Sequence, residues 1–237
     1  PQHRPCPSSR PATSRSAPAR WSVVPLDRAT FDISDIDAVL GVFATHAPDV
    51  VLNAGGYTAV DRAEDEPQQA RAANVTGAEN LARACATSGT RLIHISSDYV
   101  FDGSQTHPYS PDDEPQPRGV YGQSKRDGEL AVLAGCSRAV VLRSAWLYSE
   151  YGRNFVKTIL SRARENGKLR IVADQVGSPT WAFGLAELMW RLAERNHREA
   201  RRVWQDLPAT HPQAQSPRFA EAAFLLAQTW NVPAPRT

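Results

Sequence analysis

The segment Tyr121-Gly122-Gln123-Ser124-Lys125 combines residue types and a spacing that could move a proton. Residues four apart share a helix face, so the phenol and the ammonium would lie side by side. A neighbouring positive charge favours the phenolate. The expectation is therefore a Tyr121 pKa lowered towards neutrality and a usable general acid. The Lys125 ammonium has three donors, so it can also bond a ribose hydroxyl. A surface tyrosine and a solvated lysine would show the same spacing. The chain has six tyrosines and three lysines, and composition alone gives roughly 0.1 such pairs. Ser97 follows an apolar run, Leu92–Ser96. A hydroxyl there can donate to a carbonyl oxygen on which negative charge develops during hydride attack. Taken alone, a serine at a strand end is more often structural.

These residues need elements to position them. Trp21–Val24, Asp49–Ala54, Leu92–Ser96, Ala139–Arg143 and Leu169–Ala173 are short apolar runs that predict strands. Helices are predicted from Ser34, as cap, to about His46, and over Pro67–Ser88, Tyr121–Leu133, Asn154–Glu165 and Gly184–Glu194. Pro67 falls near the first turn of its helix and Gly89 just past the end. Strands alternating with helices predict an α/β fold, a doubly wound parallel sheet covered on both faces. Ligands of such sheets bind beyond the carboxyl ends of the strands. Gly55-Gly56-Tyr57, Ser97-Asp98-Tyr99 and Ser144-Ala145-Trp146 each follow a predicted strand. Any one of them reads as an ordinary turn; three on one edge predict a cleft.

Composition limits the alternatives. The chain has 237 residues, 41% of them hydrophobic, enough for one sizeable core. A net charge of +2 gives no reason to expect a nucleic-acid partner. No apolar run is long enough for a membrane span, and no signal peptide is legible. Cys6, Cys85 and Cys136 form neither a metal spacing nor an even set, which predicts a cytoplasmic setting. Residues 1–20 are mostly Pro, Arg, Ser and Ala, without a glycine, and predict disorder. The predicted domain spans 21–197. Residues 198–237 read as a partial C-terminal lobe, with one apolar helix at Phe219–Leu226.

In chain order, VLNAGGYTAVDRAEDEP, NVTGAENLA, ISSDYVFDG, YGQSK, LRSAWLY, NFVKTIL and VADQVGSPT resemble the dTDP-4-dehydrorhamnose reductases, which are extended short-chain dehydrogenase/reductases. The resemblance covers residues 21–195. It implies a Rossmann-like fold with a small substrate lobe. It also implies NADPH- or NADH-dependent reduction of the 4-keto group of dTDP-4-dehydro-L-rhamnose to dTDP-L-rhamnose. Tyr121 would give the proton, with Lys125 as its partner and ribose anchor. Ser97 stands where the family has threonine. Ser97, Asp98 and Trp146 would meet the dTDP-sugar. Asp32 and Ile33 would lie at the adenosine end of the cofactor, and Gly55, Gly56 and Tyr57 would line it. Asn74 matches a family asparagine and reads as structural. Mg2+ and a homodimer are implied by the resemblance alone.

Two departures matter. The family's first strand and its GxxGxxG turn, which cradles the pyrophosphate at a helix N-terminus, have no counterpart here. Without that strand, Trp21–Val24 and Asp49–Ala54 would face each other across a gap in the sheet. The only methionine is Met189. A fragment, a frame error before Trp21, or a strand from another chain would each account for the missing turn. So would a non-enzymatic nucleotide-sugar or protein-binding module of the same fold, as in a regulatory subunit of methionine adenosyltransferase. A related sugar-nucleotide epimerase would share the Tyr/Lys pair, but DQVGSPT and SSDYVFDG argue against it.

Overall fold

The computed structural model describes residues 21–152, 154–167, 169–171 and 175–194. The expectations for 1–20, Val172–Ala173 and 198–237 lie outside these residues.

Three parallel strands form the central sheet, in the order β1 (Val50–Asn53), β2 (Arg91–Ser97), β3 (Ala139–Ser144). Asn53 pairs in register with His94, and Ser97 with Ser144, so the strand ends are level. Alternate residues of β2 point to opposite faces. Leu92 packs with Ala78, Leu81, Cys85 and Val132 on one side. Ile93 packs with Leu185, Leu188, Met189 and Leu192 on the other. Those four lie at i, i+3, i+4 and i+7 of the last helix, and burying each such side chain is worth roughly 1.5–3 kcal/mol. Helices therefore cover both faces of a doubly wound α/β sheet, as the sequence predicted.

Around the sheet run α1 (Ile36–His46), α2 (Val60–Asp65), α3 (Pro67–Arg71), α4 (Gly77–Ser88), α5 (Val120–Gly135), α6 (Phe155–Asn166) and α7 (Ala182–Glu194). Pro67 opens α3, and Gly89 closes α4 at φ 70. The predicted single helix over 67–88 is interrupted by a wide π-type turn at Ala72–Thr76, which carries the buried Asn74. The cap of α1 is Asp35, whose carboxylate accepts from the N–H groups of Asp37 and Ala38. Ser34, the expected cap, instead donates its hydroxyl to Asp32 at 2.8 Å.

Two strand expectations fail. Trp21–Val24 is not a strand. A strand exists only through a ladder partner, and among the described residues none lies beyond β1. Trp21 instead meets the ring of Trp190 at 6.2 Å. Leu169–Ile171 also carries no strand. The short parallel pair that does form joins β4 (Leu147–Tyr148) to β5 (Thr180–Trp181). Trp146, just before β4, has φ 45. That left-handed conformation costs a side-chain-bearing residue roughly 1–2 kcal/mol.

Candidate active site

Tyr121 enters the site from the first turn of α5, and Lys125 stands one turn on; both are buried. Two glycines let α5 approach its neighbours. A Cβ on Gly122 would overlap the carbonyl oxygen of Tyr99, and one on Gly128 the carbonyl oxygen of Asn74. Glycine in a helix interior costs about 1 kcal/mol against alanine, and close approach is the return. The rings of Tyr99 and Tyr121 meet edge to face at 5.5 Å.

Ser97, the last residue of β2, donates to Asp98 Oδ1 at 3.0 Å and accepts from the Tyr99 N–H at 3.2 Å. It also contacts the phenol of Tyr121, an interaction that favours the phenolate. Asp98 is buried, and its Oδ2 has no hydrogen-bond partner among the described residues. Burial pushes the Asp98 carboxyl up to about 6, against the pull of the Ser97 hydrogen bond.

The expected lowering of the Tyr121 pKa is not found. Burial pushes the phenol up to about 12, and the charges of Asp98 and Tyr99 add to it. The Lys125 ammonium is turned to another partner, donating to the carbonyl of Ile95 at 2.7 Å. Burial brings Lys125 itself down to about 8, with Glu129 opposing.

The Gly55-Gly56-Tyr57 turn is held by two asparagines. Asn53 Oδ1 accepts from the Gly55 N–H, while its amide nitrogen lies 2.9 Å from His94 Nδ1. Asn74 Oδ1 accepts from the Tyr57 N–H at 2.8 Å. Its amide donates to the Tyr57 carbonyl and to Ser124 Oγ. Ser124 in turn donates to the Tyr121 carbonyl. A Cβ at Gly56 would sit 2.8 Å from Asn74 Oδ1 and 3.8 Å from Lys125 Nζ. The turn therefore passes directly beside the lysine. The Tyr57 hydroxyl donates to Glu66 at 2.6 Å, which raises its pKa.

Ile33 reaches this turn: its Cδ1 would lie 3.9 Å from a Cβ on Gly55. Asp32 is exposed and bonded to Ser34, which lowers its pKa. Trp146 lies two residues beyond Ser144, the register partner of Ser97, and the residue is 40% exposed. The structure thus gathers Ser97, Asp98, Tyr121, Lys125, Gly56 and Tyr57. Trp146 and the pair Asp32–Ile33 stand further along the same carboxyl edge. A cavity of about 320 Å3, lined by Trp21, Asp49, Arg91, Ala193 and Glu194, lies at the opposite ends of the strands.

Asn74 is structural, as expected: from a π-type turn that the sequence does not show, it ties the Gly55–Tyr57 turn to α5. Sequence reasoning misses two further supports. Glu129, one turn beyond Lys125, is fully buried. It takes two hydrogen bonds from Arg143, both 2.8 Å, and one from Arg126 at 3.0 Å. Gly177 adjoins the indole of Trp146. The signal for Glu129 was its place four residues after Lys125. No metal-holding group of three or more His, Cys, Asp or Glu occurs among the described residues.

The chain resembles known proteins over most of its length. The model of the RmlD substrate binding domain matches residues 12–229. A dTDP-4-dehydrorhamnose reductase of Sinorhizobium fredii is 42% identical over 73% of this chain and 58% of its own length. One from Mycobacterium tuberculosis is 43% identical over 77% of this chain and 61% of its own. Among solved structures, the Bacillus anthracis dTDP-4-dehydrorhamnose reductase in complex with NADP superposes with TM-score 0.74 at 36% identity, over 76% of this chain and 64% of that one. The Clostridium acetobutylicum orthologue gives 0.70 at 37%, over 72% and 61%. The chain spans about three fifths of the length of these relatives. Its α/β fold is Rossmann-like, and the chain belongs to the RmlD substrate binding domain family.

Proposed function

We propose that this chain is the proton-handling and substrate-orienting core of an NADPH- or NADH-dependent reductase that converts dTDP-4-dehydro-L-rhamnose to dTDP-L-rhamnose. The observation that carries the reading is the convergence of Ser97, Tyr121 and Lys125 at the carboxyl edge of the sheet.

The nicotinamide end of the cofactor suits the residues present. Gly56 leaves open the space beside Lys125 that a side chain would fill, and the lysine can reach a ribose hydroxyl. Gly55 and Tyr57 line the same turn, with Asp32 and Ile33 towards the adenosine end. When bound, NAD(P)H supplies a hydride to the keto carbon. Ser97, its hydroxyl turned from Asp98 Oδ1, donates a hydrogen bond to the keto oxygen as it gains charge. Tyr121 then gives its proton to that oxygen. A phenol with a pKa of about 12 is still far more acidic than the alcohol formed, so the transfer is downhill. With the cofactor's ribose in place, the Lys125 ammonium turns from the Ile95 carbonyl towards the ribose and the phenol, and from there its charge stabilises the phenolate left behind. Asp98 bonds sugar hydroxyls, and Trp146 offers its exposed indole to the sugar ring. Mg2+ has no place in the reading.

We place the core at 21–197 and a substrate-lobe segment at 198–237. A homodimer and a cytoplasmic location belong to the same reading. No helix among the described residues is long and apolar enough to cross a membrane.

One observation favours a second reading. Among the described residues no strand lies beyond β1, where a phosphate-binding strand and turn would stand. A nucleotide-sugar binding module without catalysis fits that. A fluorescence titration with NADPH decides between them. The reductase reading expects saturable binding and turnover of the dTDP-sugar; no binding at millimolar cofactor favours the module.

A further inference from the structure

Gly177 belongs to the DQVGSPT segment, and its role does not follow from that segment alone. Glycine is often required for a positive φ, but the positive-φ glycines of the described residues are Gly89, Gly103, Gly152 and Gly167. The reason at Gly177 is space. A Cβ there would lie 2.8 Å from Cε2, 2.9 Å from Cζ2 and 3.2 Å from Nε1 of Trp146. One edge of the indole is therefore seated on the Gly177 backbone. A second tie comes from the same segment: the Trp146 carbonyl accepts from the Thr180 N–H at 3.2 Å. Trp146 holds a left-handed backbone at φ 45° while the residue stays 40% exposed. Strain of this kind persists only where surroundings over-determine it. The β4–β5 pairing begins at the next residue, Leu147, which is in register with Thr180.

We propose that Gly177 is a positioning residue that sets the orientation of the Trp146 indole at the substrate edge. A side chain at 177 would drive the ring off its seat and turn its exposed face. The inference rests on the reading that Trp146 meets the dTDP-sugar. It assigns substrate orientation to a residue that itself touches no substrate.

The test uses the full chain labelled with 5-fluorotryptophan. It has six tryptophans, and Trp146→Phe assigns one 19F resonance. Gly177→Ala should move that resonance and leave the others in place. It should also weaken binding of dTDP-glucose, used as a stable dTDP-hexose probe, by about tenfold, the order expected for displacing a stacking surface. In a Trp146→Ala background the three atoms nearest the added methyl are gone, so Gly177→Ala should lower neither melting temperature nor affinity further. An unmoved Trp146 resonance overturns the proposal. So does a moved resonance with unchanged affinity, which would mean packing alone. If Gly177→Ala does not fold, the Trp146→Ala/Gly177→Ala chain should; failure of both also overturns it. If dTDP-glucose does not bind the unaltered chain at millimolar concentration, the substrate reading of Trp146 falls. The seating of the ring is then decided by the resonance and the melting cycle.

Discussion

Replacing Arg143 with methionine strands the buried carboxylate of Glu129. The Glu129 side chain is 1% exposed, and Arg143 gives it two of its three arginine hydrogen bonds. Removing one partner of a buried ion pair costs roughly 3–5 kcal/mol. Arg126 remains at 3.0 Å, which places the loss near the lower figure. The contact of the Arg143 guanidinium over the Phe101 ring, 4.9 Å from its centroid, is lost as well. For a chain of this size each kcal/mol moves the melting temperature by about 2–4 °C, so a fall of about 6–12 °C is expected. The deficit should depend on pH. In the intact protein burial pushes the Glu129 pKa up, but Arg143, with help from Arg126, holds it below its ordinary 4.5. Its stabilising contribution is thus present above pH 4.5 and is lost as pH falls through the folded pKa. In the variant burial acts with less opposition and the folded pKa rises. The carboxylate then destabilises most above that value and least below 4.5. Urea unfolding at pH 7 and pH 4 measures both effects. The double variant Glu129→Leu/Arg143→Met should recover most of the loss, since an apolar pair replaces an ionic one. A deficit below about 1 kcal/mol at pH 7, or one equal at both pH values, would refute the reasoning.

Further outcomes are expected. Tyr121→Phe should lower reductase turnover by about 10²–10⁴-fold while leaving NADPH binding in place, as stopped-flow and fluorescence titration would show; unchanged turnover removes Tyr121 as the proton donor. His94 and Asp98 should bend the pH–stability curve in opposite senses. Burial and Lys125 bring His94 down to about 3, so it loses stability as pH falls from 6.5. Asp98, raised to about 6, gains stability as pH falls through that value. Thermal melts between pH 4 and 7 should therefore show a shallower acid decline in His94→Gln and a steeper one in Asp98→Asn. Gly128→Ala forces a methyl onto the Asn74 carbonyl and should cost about 1–3 kcal/mol or more in denaturant unfolding. In a Cys6→Ser chain no thiol should react with a disulfide reagent before unfolding, because Cys85 and Cys136 are buried and burial pushes the Cys85 thiol up to about 12.

Much of the site was legible because its logic is local. The spacing of Tyr121 and Lys125 fixes a shared helix face, and the apolar run before Ser97 fixes its place at a strand end. What failed depended on partners distant in sequence. Trp21–Val24 has strand composition, but a strand needs a neighbour to bond. The Tyr121 pKa follows burial, and the Lys125 charge goes to a carbonyl thirty residues away. Neither can be counted from spacing. Ser34 and Asp35 are both good caps by type, and only geometry selects between them. Gly177 and Trp146 lie far apart in the chain, so the contact that explains the glycine cannot be read from either segment.

Asn74 has a thermodynamic consequence. One buried amide holds the main chain of Tyr57 from both sides and reaches the hydroxyl that grips the Tyr121 carbonyl. Opening the Gly55–Tyr57 turn alone would leave that amide half-bonded in a dry interior, which is costlier than an open loop in water. The turn and the start of α5 should therefore open together as one cooperative unit. Amide hydrogen exchange would show it: the Tyr57 N–H, though it sits in a turn, should exchange as slowly as the helix it is tied to.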